Sequence, residues 1–309
     1  MTTDTLVSVI VITYNSANFV LETLESIADQ TYKNIELIIS DDCSSDNTLE
    51  LCQNWIDSHY DRFINTKILS VQKNGGIPAN CNRGLKAANG EWIKFIAGDD
   101  ILMPHAVHDY MQFASAHHDC ELIHSPVIRL IEHEDGSTEL QEDEIINNLN
   151  ESINSDAQFK LLNFSSMVKA PSVIIHKNIF ETVGVFDETI PRCEDWPFWL
   201  KVTHAGKHFF YLKKPLVYYR IHSASVYSSM EGKYIVSPFY DTEKTIYDKY
   251  IDGHAGKLDR LFLNYNYALK NFFLKKNNSS NSRFYKKMFA VLNVPFRIYQ
   301  KIVFRSILK

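Results

Sequence analysis

The sequence has few cysteines and no long apolar run, and both absences narrow the class of protein. Its five cysteines are odd in number, lie far apart and form no C-x-x-C pair, which disfavours a disulfide framework or a zinc site and favours reduced thiols. The opening MTTDTLVSVIVITYN has no basic region before its apolar run, which is far shorter than the ~20 residues that span a bilayer. We therefore expect a cytoplasmic protein without a secretion signal or transmembrane helix.

Acidic residues are missing from one part of the chain. All 37 Asp and Glu lie in the first 260 of the 309 residues, whereas ten of the 32 Lys and Arg lie after residue 260. This asymmetry predicts that the acidic body and the basic tail meet different partners. No G-x-G-x-x-G follows a strand-like run, which disfavours a dehydrogenase, and no nucleic-acid-binding motif accompanies the basic residues.

The first hundred residues alternate short apolar runs with helical patterns. Runs rich in β-branched residues lie at 6–12, 35–40, 66–71 and 92–97. Apolar residues at helical spacing separate them, with Asn15 and Ser16 as candidate caps of the first helix and Pro78 in the first turn of the third. This βαβ series predicts an α/β fold with an open, mostly parallel sheet.

The rest of the chain divides into two parts by its pattern. Less regular strand-like runs lie at 121–130, 171–177, 208–212 and 216–222, with an acidic surface excursion from Glu132 to Asp156. After about residue 226 the pattern is helical and aromatic, broken by the polar NNSSNS of 277–282. We predict one domain over 1–225, with halves at 1–110 and 111–225, and a helical basic region over 226–309.

Polar side chains follow each of the first four strand-like runs. In order they are Thr13, Tyr14 and Asn15, then Asp41 and Asp42, then Gln72 to Gly76, then Asp99 and Asp100. The carboxyl ends of parallel strands share one edge of the sheet, which is where open α/β sheets bind ligands. Carboxylates close together repel unless a cation lies between them, and their oxygens favour Mg²⁺ or Mn²⁺. With the N–H groups of KNGGIP and of the helix N-termini added, this edge predicts a site for a metal-bound diphosphate.

Each motif alone also has a structural interpretation. Asp41 and Asp42 are typical helix caps, Gly75 and Gly76 are typical of a turn, and the two aspartates of IAGDD suit a surface turn. Only their meeting at four successive strand ends favours a site.

Two later motifs leave the choice open in the same way. Glu194 and Asp195, ahead of the helical pattern WPFWLKV, either favour the helix dipole or supply a general base. Arg220 and His222, in YYRIHSASVYSS, suit phosphate binding, although a lone histidine is more often structural.

The ordered set of motifs resembles the inverting family 2 glycosyltransferases of the GT-A fold. The segments that carry the resemblance are SVIVITYNSANFVLETLESIADQTYKNIELIISDDCSSDNT, NGGIPANCNRGLKAANGEWIKFIAGDD, VGVFDE and EDWPFWL, within about residues 6–225. The resemblance implies a nucleotide-diphospho-sugar donor, most often a UDP-sugar, a bound Mn²⁺ or Mg²⁺, and inverting transfer to a hydroxyl. The acceptor would be a glycan or lipid-linked molecule of cell-surface polysaccharide synthesis, such as lipopolysaccharide or capsule. No Q-x-x-R-W motif is present, so one sugar per acceptor is expected.

The resemblance also implies roles for individual residues. The implied donor-binding residues are Thr13, Tyr14, Asn15, Asp41, Lys73, Gly75, Asn80, Arg83, Asp99, Arg220 and His222. Asp99 and Asp100 match the metal motif, and Asp195 matches the catalytic base, with Glu194 beside it. Many relatives carry D-x-D-D where this chain has Ala97-Gly98-Asp99-Asp100, so neither of the last two residues would have a backup.

The basic tail allows two interpretations. Residues 283–309 either form a solvated helix packed on its own domain or attach to an anionic membrane surface. The second uses apolar contacts from Phe296, Ile298, Ile302, Val303 and Ile307 and charges from Arg297, Lys301, Arg305 and Lys309. It predicts a peripheral protein at the inner face of the cell membrane, released by deletion from about residue 283.

Two other functions are also compatible with these motifs. A sugar-phosphate nucleotidyltransferase would share the sheet and the metal carboxylates, but TYNSANF is not the Gly-rich, Arg-containing loop expected after its first strand. A non-catalytic nucleotide-binding scaffold would bind the donor without turnover. No nucleic-acid partner is expected.

Overall fold

A computed structural model of the chain describes residues 5–133, 135–142, 149–223, 234–277 and 282–308. Several predicted features lie wholly or partly outside these residues: the domain boundary at 225, the Ser-rich end of YYRIHSASVYSS, most of NNSSNS, Lys309 and parts of the acidic excursion.

The strands form two sheets. In chain order they are β1 (Val7–Thr13), β2 (Ile35–Asp41), β3 (Asn65–Ser70), β4 (Trp92–Ala97), β5 (Ile101–Leu102), β6 (Leu122–His124), β7 (Val127–Glu132), β8 (Thr138–Glu142), β9 (Val173–His176), β10 (Phe210–Tyr211) and β11 (Val217–Ile221). The large sheet has the order β10-β6-β9-β4-β1-β2-β3, and the small sheet has the order β5-β11-β7-β8. In the large sheet β9 runs antiparallel to both of its neighbours and the other pairs are parallel. The predicted α/β fold with a mostly parallel sheet is confirmed.

Helices cover both faces of the large sheet. In chain order they are α1 (Val20–Ala28), α2 (Thr48–His59), α3 (Ile77–Ala87), α4 (Ala106–Ala116), α5 (Ser155–Leu162), α6 (Lys177–Val183), α7 (Asp195–His204), α8 (Tyr240–Ile246), α9 (Lys257–Asn277), α10 (Arg283–Leu292) and α11 (Val294–Ile307). Val9 of β1 packs in the cluster that holds Leu24 of α1, whereas Ile10 packs in the cluster that holds Trp199 of α7. A strand buried on both faces reads as a continuous apolar run, as β1 does.

The predicted strand 121–130 is two strands, and this prediction was wrong at Pro126. Proline has no backbone N–H and cannot continue a sheet ladder. The chain leaves the large sheet after β6 and enters the small sheet as β7, which pairs in parallel with β11. The break matters because β11 carries Tyr219 and Arg220 to the edge where β4 ends.

The predicted caps of α1 were also wrong. No side chain caps this helix; the backbone carbonyl of Ser16 accepts from Phe19 N and Val20 N, both at 2.9 Å. Asn15, the other predicted cap, instead has a left-handed backbone conformation with φ +51°. Pro78 does lie in the first turn of α3, as predicted.

The helical prediction for the tail is correct, but its apolar residues are divided between two sides. Phe296 and Val303 are buried in the protein and Ile307 is partly buried, so they cannot meet a membrane as predicted. Ile298 and Ile302 are exposed. Pro295 lies in the first turn of α11, where its missing N–H costs nothing.

Side chains of α9 and α11 belong to the same core cluster as those of α5 and α7. The division at residue 225 stays a prediction. Among the described residues, none of the helices combines the length and the apolar character needed to cross a bilayer.

Candidate functional site

The ends of β1 and β2 are joined through a buried carboxylate. Asp41, fully buried, accepts hydrogen bonds from Thr13 Oγ1 at 2.8 Å and from Ser44 N at 2.9 Å. These bonds fix the turn after β2 rather than a helix end, because α2 begins only at Thr48. The strand ends therefore meet as the sequence predicted, with Asp41 held by neutral donors.

Two non-glycine residues with positive φ lie at this edge, Asn15 at +51° and Cys43 at +70°. Such conformations cost energy and recur where a chain must present a particular surface. The Asn15 N–H donates to Ser44 Oγ at 2.8 Å, and its side-chain Oδ1 accepts from Ser45 N at 2.8 Å. Beside it the Tyr14 ring is half exposed at the strand end, as a stacking platform for a planar ligand would be.

The glycine loop after β3 is closed by Asp42, a residue for which the sequence indicated no role separate from that of Asp41. Its carboxylate accepts from Gly75 N at 3.0 Å and Gly76 N at 2.8 Å, and it pairs with Arg83 Nη2 at 2.9 Å. The N–H groups expected to face an anion are therefore engaged by Asp42, and that expectation was wrong for this conformation. In the sequence, the only signal for this role of Asp42 was that it directly follows another aspartate, Asp41, at the end of β2.

Asn80 and Arg83 brace this edge from α3. Arg83 Nη1 donates to Asn80 Oδ1 at 2.8 Å and to the carbonyl oxygen of Asp41 at 3.0 Å, and Asn80 Nδ2 donates to the carbonyl of Thr13 at 3.2 Å. Both side chains thus bind the protein itself. Lys73, at the start of the loop, is exposed.

A close contact ties the glycine loop to the loop that leads into α7. Gly76 has φ +88°, and a Cβ atom there would lie 2.7 Å from the carbonyl oxygen of Pro191. The same oxygen accepts from Ile77 N at 3.2 Å. Glycine is required here both by its backbone conformation and by the space available.

Asp99 and Asp100 follow β4 and point to different surroundings. Asp100 is buried, and its Oδ1 accepts from the backbone N–H of Arg220 at 2.9 Å. The side chain of Asp99 is 31% exposed, and its Oδ2 lies 3.2 Å from His222 Nε2. A Cβ atom at Gly98 would lie 2.9 Å from Thr13 Cγ2, so a larger residue before this pair would push β1 and β4 apart.

Arg220 is the buried cation of this corner. Its Nε donates to the carbonyl of Asp99 at 2.7 Å, and its guanidinium pairs with Glu22 and Glu132 and lies over the Phe19 ring. The residue was expected in a loop over a diphosphate; the structure places it within β11, with its charge already matched. Of Arg220 and His222, it is His222, just after β11, whose side chain lies beside the Asp99 carboxylate.

Burial raises the pKa of Asp100 well above its ordinary value, and the nearby Asp99 charge adds to the effect. The backbone N–H of Arg220 and the charges of Lys94 and Arg220 oppose it. Burial also lowers the pKa of Lys94 to about 7; its Nζ donates to the carbonyl of Phe95 at 2.9 Å. The protein thus supplies cations around this carboxylate pair.

Glu194 and Asp195 lie at the start of α7. Asp195 Oδ1 accepts from Trp196 N at 2.6 Å and from Cys193 Sγ at 3.2 Å, and its Oδ2 accepts from Ser166 Oγ at 3.2 Å. Burial, followed by the Asp195 charge, raises the pKa of Glu194 to about 8, and burial also raises the pKa of Asp195. The hydrogen bonds to Asp195 lower its pKa, but burial outweighs them, so both carboxylates are more basic than ordinary ones.

Tyr219 connects the two carboxylate pairs and was missed in the sequence. Burial raises the pKa of its phenol, and so do the charges of all four residues, Asp99, Asp100, Glu194 and Asp195. Lys169 lies over its ring, 5.4 Å from the centroid. Tyr219 therefore lies close enough to both pairs, the predicted metal motif and the predicted base, to feel their charges. The motif YYRIH gave only a weak signal for this role.

Mg²⁺ or Mn²⁺ can be accommodated by the residues at this edge. Within the residues placed by the structure, no cluster of three or more His, Cys, Asp or Glu side chains is arranged to hold a metal ion. Asp99 offers a partly exposed carboxylate with His222 beside it, whereas Asp100 is turned to the Arg220 backbone. Such ions bind one or two carboxylates and complete their shells with water and phosphate oxygens, so Asp99 fits as a ligand and Asp100 as its support.

Comparisons with known proteins agree with this geometry. A family model described as glycosyl transferase family 2 matches residues 8–181. An uncharacterized glycosyltransferase of Rickettsia conorii is 29% identical over 203 residues, which are 64% of this chain and 31% of that protein. The chain also covers less than two thirds of the length of three further rickettsial relatives.

Two solved structures show the same fold. S. aureus TarS 1-349 in complex with UDP-GlcNAc superposes with a TM-score of 0.59 at 21% identity, covering 88% of this chain and 76% of that one. Mannosyltransferase PcManGT from Pyrobaculum calidifontis, in complex with GDP-Man and Mn²⁺, has a TM-score of 0.60 at 16% identity, covering 97% and 84%. These likenesses confirm the predicted GT-A architecture.

Proposed function

The chain belongs to glycosyl transferase family 2, and we propose that it moves one sugar, with inversion, from a nucleotide-diphospho-sugar to an acceptor hydroxyl. One observation carries the proposal. Tyr219 feels the charges of two carboxylate pairs: Glu194 and Asp195, where Asp195 accepts from neutral donors, and Asp99 and Asp100, which have Arg220, Lys94 and His222 nearby. The first suits taking up a proton, and the second suits the charged diphosphate end of a donor.

The proposed donor is a UDP-sugar. The TarS complexes with UDP and UDP-GlcNAc support this choice, while the GDP-Man complex of PcManGT leaves a guanine nucleotide as the competitor to test. In our proposal the exposed Tyr14 ring stacks on the base, and Asn15 and Thr13 shape the nucleotide pocket around Asp41. Lys73, exposed on the glycine loop, supplies a charge toward the diphosphate.

The proposed cofactor is Mn²⁺ or Mg²⁺, held by Asp99 with Asp100 behind it. When bound, such an ion neutralises negative charge on the departing diphosphate. Asp100 keeps the strand end in place through the Arg220 backbone, and His222 orients the Asp99 carboxylate. Asn80, Gly75 and Arg83 contribute indirectly, because their bonds hold the loops after β1, β2 and β3.

The proposed chemistry is a single displacement. Asp195 accepts the proton of the acceptor hydroxyl, and the oxygen forms a bond to the anomeric carbon as the bond to the diphosphate oxygen breaks. The electron pair of that bond leaves with the nucleoside diphosphate. One displacement inverts the configuration. Glu194, whose own pKa is raised by burial and then by the Asp195 charge, lies beside the proposed base, and the Ser166 hydroxyl aims the Asp195 carboxylate.

We further propose that the acceptor is a glycan or lipid-linked molecule of cell-surface polysaccharide synthesis, such as lipopolysaccharide or capsule, reached from the cytoplasmic face of the membrane. The basic composition of the last part of the chain supports this location.

The test supplies radiolabelled UDP- and GDP-sugars with Mn²⁺ or Mg²⁺ and measures donor hydrolysis and transfer. Asp195→Asn is expected to reduce kcat by about 10²–10⁴-fold with little change in donor binding, because only the proton acceptor is lost. Asp156→Asn, the same change on the exposed part of α5, is the control.

Full transfer by Asp195→Asn would disprove its role as the base. Donor binding without turnover in the wild type would instead identify a scaffold. Release of diphosphate from a nucleoside triphosphate and a sugar phosphate would identify a nucleotidyltransferase.

A further inference from the structure

Helix α9 exposes an apolar stripe along its length. Leu258, Leu261, Tyr265 and Phe272 are all exposed, at spacings of three, four and seven residues. Positions three, four and seven apart share one side of a helix. The opposite side, with Leu263, is buried in the core. The outer side of α9 therefore presents this apolar stripe beside exposed polar residues such as Lys257, Arg260 and Asn264.

Helix α11 exposes two parallel rows of different character. Val294, Ile298 and Ile302 form an apolar row, and Ile298 and Ile302 are 54% and 59% exposed. The second row, four residues apart in the same way, consists of Arg297, Lys301 and Arg305, all exposed. The inner side of the helix is occupied by Phe296 and Val303. An apolar row beside a basic row is typical of helices that lie in a membrane interface.

The two helices form one continuous surface, which we call the C-terminal face. Leu261, Phe262 and Tyr265 of α9 line a shallow apolar cleft together with Pro295 of α11. Tyr265 also donates to the carbonyl of Leu292 at 2.5 Å, just before α11 begins. The apolar stripe of α9 therefore adjoins the apolar row of α11.

The charges of the C-terminal face indicate which kind of partner it can bind. From residue 261 onward the sequence has ten Lys or Arg and no Asp or Glu. Asp259 lies two residues earlier but is buried, where it accepts from Tyr299 at 2.6 Å and pairs with Lys160. A second copy docked through this face would bring cation rows against cation rows. An anionic bilayer satisfies both the charges and the apolar rows.

We propose that the C-terminal face docks the protein on a bilayer containing anionic phospholipid, with α11 lying in the headgroup region. The docking residues differ from those that the sequence indicated: α9 contributes, and Phe296 and Val303 do not. Their burial also means that removing the tail would expose core, so point substitutions are the proper test.

The docking helix lies next to the loop of the proposed base. Phe164 packs on the inner side of α11, with ring centroids 6.0 Å from Phe296 and 5.8 Å from Phe304. Two residues later Ser166 donates to Asp195. Docking would therefore bring Asp195 close to the membrane surface, where a lipid-linked acceptor presents its hydroxyl. This last step rests on the proposed function, whereas docking itself does not.

The experiment measures binding of the full chain to vesicles of phosphatidylglycerol and phosphatidylcholine, and to vesicles of phosphatidylcholine alone. Combined substitution of Arg297, Lys301 and Arg305 by Gln should weaken binding by about fivefold per residue. Ile298→Ser with Ile302→Ser should weaken it by about tenfold per residue. Matched controls change Lys86, Lys177 and Lys213 to Gln, and Leu140 to Ser, all exposed elsewhere. The controls should bind as the wild type does.

Three outcomes would overturn the proposal. Equal binding to both vesicle types shows that the charges select nothing. Loss of vesicle binding in the charge variant but not in the apolar variant shows that Ile298 and Ile302 do not enter the bilayer, so α11 does not lie in the headgroup region. A dimer in sedimentation that Ile298→Ser converts to monomer assigns it to a second copy. Donor hydrolysis, measured on the same variants, should stay at the wild-type rate, so failure of docking and failure of sugar transfer are distinguished.

Discussion

The protein holds two pairs of adjacent carboxylates, and it treats them differently. Asp99 and Asp100, after β4, are surrounded by the charges of Arg220 and Lys94 and by His222. Among the described residues, the donors to Asp195 at the start of α7 are neutral: a hydroxyl, a thiol and a backbone N–H. Burial raises the pKa of Asp100, Glu194 and Asp195 alike, so the two pairs differ in the groups around them and not in the direction of the shift.

This difference separates two chemical tasks that one residue type can perform. At the first pair the cations oppose the effect of burial, which still leaves the pKa of Asp100 well above its ordinary value, and the partly exposed Asp99 carboxylate is open to a ligand. A buried carboxylate without a cation binds protons more tightly, which suits a general base. Tyr219 lies between them and feels both. Substitutions in either carboxylate pair test this difference.

Besides the loss expected for Asp195→Asn, the largest effect is expected from the first pair. Asp99→Ala should reduce kcat/KM by about 100-fold or more with donor and metal present, because charge stabilisation of the leaving group is lost. Its side chain is partly exposed, so the thermal midpoint should change little. Asp100→Ala should also cost about 1–3 kcal/mol of stability, because the buried N–H of Arg220 loses its acceptor.

Kinetics and denaturant unfolding of both variants separate these roles. Wild-type activity in Asp99→Ala would show that the end of β4 is only a turn and has no role in transfer. Equal stability of the two variants would show that Asp100 does not support the strand end in a way that Asp99 does not.

A smaller effect is expected from the pH dependence of the second pair. Transfer should rise with pH as Asp195 and Glu194 lose their proton, because burial raises both pKa values. Glu194→Gln removes a neighbouring negative charge, so the pKa of Asp195 should fall and the rising limb of the pH–rate profile should move to lower pH. A profile unchanged by Glu194→Gln would mean that the two groups titrate independently.

The same variant tests stability with a defined sign. Folding raises the pKa of Glu194 from 4.5 to about 8, so the wild type is stabilised by the neutral form below about 4.5 and loses that contribution as pH rises to about 8. Glutamine stays neutral. Glu194→Gln should therefore gain thermal stability relative to the wild type at pH 8 and match it near pH 4.5.

The smallest expected effect comes from Ser166. Its hydroxyl aims Asp195 at 3.2 Å, and Ser166→Ala should reduce kcat by roughly fivefold, equivalent to about 1 kcal/mol for one hydrogen bond. Ser165→Ala, at the exposed neighbouring position, is the matched control. Equal kcat in the two variants would show that the hydroxyl does not orient the base.

The sequence predicted the part of the fold that depends on local pattern. Buried parallel strands read as apolar runs, so β1 to β4 and the polar residues after them were predictable. The second half was harder, because β6 and β10 have only three and two residues and because β6, β7, β10 and β11 are divided between two sheets. Pro126 marked the change of sheet, but a proline alone does not tell which strand the next segment will join.

The candidate site was predictable in residue type but not in orientation. Asp41 and Asp42 are adjacent in the sequence, yet one ties β1 to β2 and the other closes the glycine loop. Arg220 is matched by Glu22 and Glu132, which are distant in the chain. Such pairings come from the packing of β11 against α1 and β7, and single-sequence periodicity carries no information on them.

The contact between Gly76 and Pro191 bears on the order in which substrates bind. The glycine loop and the loop before Asp195 touch without room for even a methyl group, and a hydrogen bond from Ile77 fastens them. A donor that moves the first loop must carry the second with it. We expect the proposed base, Asp195, to take up its catalytic position only after the donor has bound. The acceptor would then bind second, and water would not be activated by Asp195 before the donor is present.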